Sequence, residues 1–370
     1  MRASVLTEFG PPDVLQLREI AKPVPGDRDV LIRVHAASVG FGDTIVRDFA
    51  AVSPKKFHMP WLFWLFGRLS FGFRKPRVKI LGSEFAGRVE SVGKRVTRFT
   101  TGDPVFGYRG PRMGADAEYL CMPENGVLAA KPASMTYEQA AASPYGAIMA
   151  LGLLRRLRLR PGQDVLVVGA SGGIGPAVVR LAKFHFGARV TGVCGTARQE
   201  YVMSLGADAV IDYTQEDFAD RPETYDVIID ILGKSPYSRC RRILRPRGRL
   251  IFVSFKMKQI LQMLWTSVLG GKRVVCALVA EKQEDLVSAG ELMDAGKILT
   301  IVDRAFPLEQ AADAHRYAES GAKKGYVVLS LAPATAQRES PRLACTGGLS
   351  DGGRATETRP RTRSGMERFA

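Results

Sequence analysis

The segment Gly169-Ala170-Ser171-Gly172-Gly173-Ile174-Gly175 fits A-x-G-x-x-G through Ala170, Gly172 and Gly175. Small residues at that spacing suit a pyrophosphate, which must approach the backbone closely while the free N–H groups and positive end of a helix face its charge. A tight turn without a ligand would use glycine too. Downstream, Cys194-Gly195-Thr196-Ala197-Arg198 holds no carboxylate where an NAD site usually carries Asp or Glu for the ribose 2′-hydroxyl. The Arg198 guanidinium matches a 2′-phosphate, with Gly195 and Thr196 as donors, so NADPH is expected in preference to NADH. A solvated arginine at a helix start is the alternative for Arg198.

Such a turn works only between a strand and a helix. Asp164 to Val168 is an apolar, β-branched run that predicts a strand buried on both faces, and Ala177 to Phe184 carry apolar residues at helical spacing. Strands are predicted again at Ala188 to Val193, Ala209 to Asp212, Tyr225 to Asp230 and Gly248 to Val253, which makes a doubly wound parallel sheet.

With 370 residues, 46% of them hydrophobic, the chain is long enough for two domains. The net charge of +16 comes mostly from scattered arginines without interleaved aromatics, so no nucleic-acid partner is expected. Cys121, Cys194, Cys240, Cys276 and Cys345 form no C-x-x-C pair, which suggests reduced thiols in the cytoplasm. No apolar run reaches the ~20 residues of a spanning helix, and the N-terminus leads into a strand pattern, not a signal peptide.

Residues 1–126 read as a β-rich domain, with short strands at Ala3 to Leu6, Leu15 to Glu19, Asp29 to Ala37, Phe85 to Val92, Pro104 to Tyr108 and Ala117 to Met122. Residues 127–296 form the nucleotide domain, with a sixth strand at Arg273 to Val279. About 297–331 return to complete the first domain, and 332–370 are polar and predicted to be disordered. Between Phe57 and Lys79, aromatics lie beside basic residues. A lid for a bulky apolar substrate, a weak membrane-surface contact through residues 57–75, and an insertion packed on the domain or on another subunit all fit that composition.

This order of domains resembles the medium-chain dehydrogenase/reductase superfamily, and within it the zinc-independent quinone-oxidoreductase branch related to zeta-crystallin. The likeness rests on Gly10-Pro11-Pro12-Asp13-Val14-Leu15, the run from Ile80 to Val89, Gly102-Asp103-Pro104-Val105-Phe106-Gly107, the glycine turn and the run from Leu205 to Tyr213, covering residues 1 to about 331. It implies an α/β fold with a GroES-like domain beside a Rossmann domain, and hydride transfer from NADPH to a quinone or an α,β-unsaturated carbonyl, an apolar electrophile. It also implies a homodimer whose sheets meet at the sixth strand. Arg198 and Tyr213 match the residues that flank the 2′-phosphate in that branch, although a packing role suits Tyr213 as well. Gly233 and Ser254 lie at strand C-terminal ends, where ligands bind in such sheets.

Zinc relatives use a Cys and a G-H-E histidine, and here Gly40 and Ser83 hold those places, so no metal is expected. The branch's V-N-x-x-D-like motif reads Val39-Gly40-Phe41-Gly42-Asp43-Thr44, which makes Asp43 and Thr44 candidates for orienting substrate or relaying a proton; a helix N-cap is the other reading of Asp43. His35, His58, His185 and His315 are dispersed. A short-chain dehydrogenase would need Tyr and Lys four residues apart, and no tyrosine here has that lysine. Loss of the zinc ligands and of the amide at position 40 also leaves room for an NADPH-binding sensor or structural protein with little turnover.

Overall fold

The computed structural model describes residues 1–54 and 60–331. Phe57, His58 and Met59 of the aromatic insertion, and the whole 332–370 tail with Cys345, lie outside the described residues.

The chain opens on an antiparallel pair, β1 (Arg2–Leu6) and β2 (Leu15–Glu19). There follow β3 (Asp29–Ser38), α1 (Phe41–Arg47), α2 (Trp61–Phe71), β4 (Glu84–Val92), β5 (Pro104–Tyr108), β6 (Tyr119–Pro123) and β7 (Val127–Ala130). Next come α3 (Tyr137–Ala141) and α4 (Pro144–Leu157). The nucleotide half runs β8 (Asp164–Val168), α5 (Gly175–Phe184), β9 (Arg189–Cys194), α6 (Gln199–Ser204), β10 (Ala209–Asp212), β11 (Tyr225–Asp230), α7 (Tyr237–Ile243), β12 (Leu244–Phe252), α8 (Met257–Leu269) and β13 (Arg273–Cys276). The chain then returns through α9 (Gln283–Asp294), β14 (Val302–Pro307), α10 (Ala311–Glu319) and β15 (Tyr326–Ser330).

β8 to β13 form one parallel sheet in the order β10-β9-β8-β11-β12-β13, the doubly wound arrangement whose strand order reverses between β8 and β11. The other main sheet runs β14-β15-β3-β4-β5-β7, with β6 paired to β3, so the C-terminal return completes the first domain as the sequence implied.

Three boundaries differ from the sequence reading. Val127–Ala130 is a strand of the first domain, paired with β5 from Val105 to Tyr108, so a division at residue 126 falls one strand early. Helix α3 also packs on β3 and β4, which moves the change of domain to Ser143, at the start of α4. The fifth strand of the parallel sheet starts earlier, at Leu244, because Arg247 at φ 62° turns within it and the register with β11 shifts. The sixth is shorter and ends at Cys276.

Each half has an apolar cluster of its own, around Leu6, Ile32 and Phe85 in the first and Leu166, Ile228 and Phe252 in the second, but they are not wholly separate. A single cluster joins Ala36, Ala86 and Phe106 of the first sheet to Ile148 and Leu151 of α4 and to Val165 and Val167 of β8. Helix α4 is buried along most of its length and lies between the sheets, which accounts for its near-continuous apolar sequence. A Cβ on its Gly146 would stand 2.7 Å from the Gly173 carbonyl oxygen, so the missing side chain brings α4 directly against the glycine turn.

Candidate functional site

The turn between β8 and α5 needs its small residues. Gly169 holds a left-handed φ of 89°, and a Cβ on Gly175 would fall 2.3 Å from the Gly169 oxygen, so the third glycine of the motif lets α5 meet the strand end. Gly173 is exposed and a Cβ there would meet nothing within 4 Å, which leaves open space on the side a phosphate would approach. The Gly173 carbonyl accepts a hydrogen bond of 2.8 Å from the Tyr326 hydroxyl of β15, tying the first domain to the turn.

Two cations reach the same place. Arg198 donates to the Gly321 carbonyl at 2.7 Å and lies 3.5 Å from the Ser171 hydroxyl of the turn. Lys323 approaches it from the same 320–326 segment of the first domain, and burial, with repulsion from Arg198, holds its ammonium below the usual lysine range. Neither forms an ion pair with a carboxylate among the described residues. Tyr213 is 63% exposed, and its hydroxyl would stand 3.4 Å from a Cβ on Gly195, so the two face one another at the strand ends. Gly233, at φ 68°, presses on Ser254; a Cβ there would be 2.0 Å from the Ser254 oxygen. These residues could hold a nicotinamide dinucleotide phosphate: a glycine-rich cradle for the pyrophosphate, and two cations beside it that make no ion pair among the described residues.

Thr196 departs from the expectation. Its hydroxyl donates to Asp212, which also accepts from Gln199 and from the backbone and hydroxyl of Thr214. Those bonds, the Thr196 one largest, hold Asp212 below the usual carboxylate range. A carboxylate therefore does lie near the second strand, supplied by β10, and it engages the Thr196 donor that was assigned to a phosphate.

Three carboxylic acids are buried at the other end of the cleft. Asp43 is fully buried and lies at the third position of α1, where Gly40, not Asp43, is the N-cap. One of its oxygens accepts from the Gly40 N–H at 2.8 Å and the other from the Gly82 N–H at 3.1 Å. Asp43 thus pins α1 to the turn before β4 and has no surface for substrate; it is a positioning residue. Thr44 donates back to the Phe41 carbonyl at 2.9 Å. Glu84 accepts from the Ser38 hydroxyl and from the Tyr145 N–H in the first turn of α4, each at 2.8 Å. Burial lifts its carboxyl to about 7, and the nearby Asp43 adds to the shift. Asp116 is fully buried with one oxygen unpartnered, and burial pushes both it and Asp43 upward. Tyr108 and Tyr145 stack beside this cluster with ring centroids 5.2 Å apart, and burial raises both phenols.

The residues present do not fit a catalytic zinc. Gly40 offers only backbone, and a Cβ on it would stand 3.3 Å from the Asp43 carboxylate. Ser83 supplies a hydroxyl in place of an imidazole, and its carbonyl accepts from the Arg109 N–H. Among the described residues no group of three or more His, Cys, Asp or Glu side chains is arranged to hold a metal. The histidines have other roles: His35 stacks on Tyr137, and His315 is buried against Arg47.

Sequence reasoning missed Glu84, Asp116, Tyr326 and Lys323. For Glu84 the signal was present in Gly82-Ser83-Glu84, where attention went to the missing histidine. The other three become neighbours of the site only through long-range packing.

Comparison with known proteins agrees with both halves of this geometry. The family described as "Alcohol dehydrogenase GroES-like domain" matches residues 26–133, and the one described as "Zinc-binding dehydrogenase" matches residues 205–329. A quinone oxidoreductase of Rattus norvegicus is 31% identical over 351 residues, covering 90% of this chain and 98% of that protein. The NADPH-dependent alkenal/one oxidoreductase of Arabidopsis chloroplasts is 30% identical, covering 90% of this chain and 80% of the relative. Among solved structures, the quinone oxidoreductase of Coxiella burnetii superposes with a TM-score of 0.75 at 26% identity, covering 90% and 99% of the two chains.

The raised Glu84 carboxyl makes stability depend on pH. Its protonated form is favoured in the folded chain, so the contribution is complete below the ordinary glutamate value and is lost as pH rises through about 7. Glu84→Gln keeps an acceptor for Tyr145 and removes the titration. In urea denaturation, the unfolding free energy of the natural chain relative to Glu84→Gln should fall by about 1–3 kcal/mol between about pH 5 and pH 8. A difference independent of pH would reject the raised carboxyl.

Proposed function

Because the chain belongs to the medium-chain dehydrogenase/reductase superfamily, among its quinone oxidoreductases, we propose that it transfers hydride from NADPH to a quinone or an α,β-unsaturated carbonyl without zinc. The observation that carries this reading is the pair of cations, Arg198 and Lys323, that make no ion pair among the described residues and lie beside a glycine-rich turn. Bound NADPH would supply the hydride; Arg198, beside Tyr213, would hold its 2′-phosphate, and Ser171, Gly172 and Gly173 would hold its pyrophosphate.

Zinc in this fold would polarise an alcohol or a carbonyl oxygen. A quinone or an enone needs no such help, since its conjugated carbonyl accepts the electron pair itself. One NADPH and one proton convert a quinone to a hydroquinone, or an enone to a saturated ketone with hydride on the β-carbon. The buried Asp43 and Glu84 hold α1 and α4 in place around the cleft, and Tyr108 and Tyr145 give it an aromatic wall suited to an apolar electrophile.

A homodimer belongs to the same proposal. β13 is an edge strand of the parallel sheet, and beside it α8 exposes Leu261, Leu264, Trp265, Val268 and Leu269 as one stripe. A free edge next to an apolar stripe is an unstable surface for a monomer and a suitable one for a two-fold contact. Light scattering should return twice the mass of one chain, and Leu264→Glu with Trp265→Glu should return the mass of one. A single-chain mass for the natural protein would remove the dimer.

Titration followed by nicotinamide fluorescence should give NADPH binding at least about tenfold tighter than NADH, a preference of ~1.4 kcal/mol that Arg198→Ala should abolish. Adding a 1,4-quinone or an enone should oxidise the NADPH, with a rate unchanged after dialysis against a metal chelator. Binding without oxidation across a broad panel would favour a sensor, and loss of turnover on chelation would restore zinc.

A further inference from the structure

Helix α2 is the feature of the molecule that the reductase reading leaves without a use. None of its residues is buried: Trp61, Leu62, Phe63, Phe66 and Leu69 are between 42% and 59% exposed, and Phe73 just beyond is 49% exposed. The helix is nonetheless fixed. A Cβ on Gly67 would stand 2.5 Å from the Phe49 ring, the Trp64 indole donates to the Val52 carbonyl at 2.7 Å, and Phe71 meets Phe49 edge-on at 5.2 Å. The opposite, apolar side is therefore held outward.

Charge decides between the occupants such a face accepts. From Phe49 to Ser83 the sequence contains no Asp or Glu. Arg68 lies over the Trp64 and Phe73 rings, and Arg74, Lys75, Arg77 and Lys79 are exposed in the segment that follows. A second copy docked here about a two-fold axis would set these cations against their own equivalents. Helix α2 has 11 residues, a length of about 16 Å against a hydrocarbon core of ~30 Å, and no described helix is long and apolar enough to cross a membrane. A short helix with outward Trp and Phe, basic flanks and no acid suits the headgroup boundary of an anionic bilayer, lying in its plane. The exposed stripe of α8 differs, because the free edge of β13 beside it offers a protein partner.

We propose that α2 is a docking element for anionic phospholipid surfaces, inserting Trp61, Phe63 and Phe66 at the headgroup level while Arg74, Lys75, Arg77 and Lys79 face the lipid phosphates. The inference does not depend on the reaction catalysed.

The test is flotation of the purified full chain with vesicles of phosphatidylcholine alone or of an equal mixture of phosphatidylcholine and phosphatidylglycerol. The chain should float with the anionic vesicles about tenfold more than with the neutral ones, less so at high salt. Because a net charge of +16 attracts anionic vesicles in any case, the deciding variant replaces Trp61, Phe63 and Phe66 by Ser. It should keep the circular dichroism and NADPH affinity of the natural chain and lose flotation by about tenfold. In a Trp265→Phe background, the remaining tryptophan emission should shift to the blue on anionic vesicles. No flotation, flotation unchanged in the triple variant, or a fall in solution mass caused by that variant would each overturn the proposal, the last in favour of a second copy.

Discussion

Hydride moves only between atoms in contact, so a protein that divides cofactor and substrate between two domains must fix those domains against each other. Here the joint is a buried carboxylate. Glu84, at the first residue of β4, accepts from Ser38 at the end of β3 and from Tyr145 in the first turn of α4. An acceptor at a helix N-terminus takes up a free N–H donor and faces the positive end of the helix dipole. Helix α4 in turn lies against the glycine turn through Gly146, and Tyr326 closes the same contact from β15. Sheet, helix and cofactor cradle are thereby one mechanical unit.

The electrostatics of the cleft divide along the same line. At one end, burial raises Asp43, Glu84 and Asp116 together, and each makes ionisation of the next harder. At the other, Arg198 and Lys323 make no ion pair among the described residues, although Lys323 feels the charges of Asp303 and Glu84. Gly40 and Ser83 stand at the acidic end and offer neither thiolate nor imidazole to a metal.

Local patterns made the nucleotide half legible. The β-branched run from Asp164 to Val168, the glycines after it and the repeated strand-helix alternation pointed to the parallel sheet. Long-range neighbours were not legible in that way. Nothing within the sequence around Thr196 says that Asp212 of β10 takes its hydroxyl, and nothing around Lys323 says that it meets Arg198. Asp43 matched a motif, yet its burial between Gly40 and Gly82 depends on how α1 folds back on β4. Val127–Ala130 escaped because its pairing with β5 outweighs the turn signal at Gly126. The aromatic insertion showed that an apolar surface was present, and only the packing of Gly67 on Phe49 shows which side faces out.

Direct hydride transfer from NADPH to a conjugated electrophile, in a site without metal, leaves an isotopic signature in the product. Metal-free protein would be given NADPH deuterated at the reactive nicotinamide carbon together with an α,β-unsaturated ketone, and the product analysed by mass spectrometry. Direct transfer puts one deuterium on the β-carbon of the saturated ketone at full turnover. Product without deuterium, or turnover that appears only after zinc is added, would contradict it.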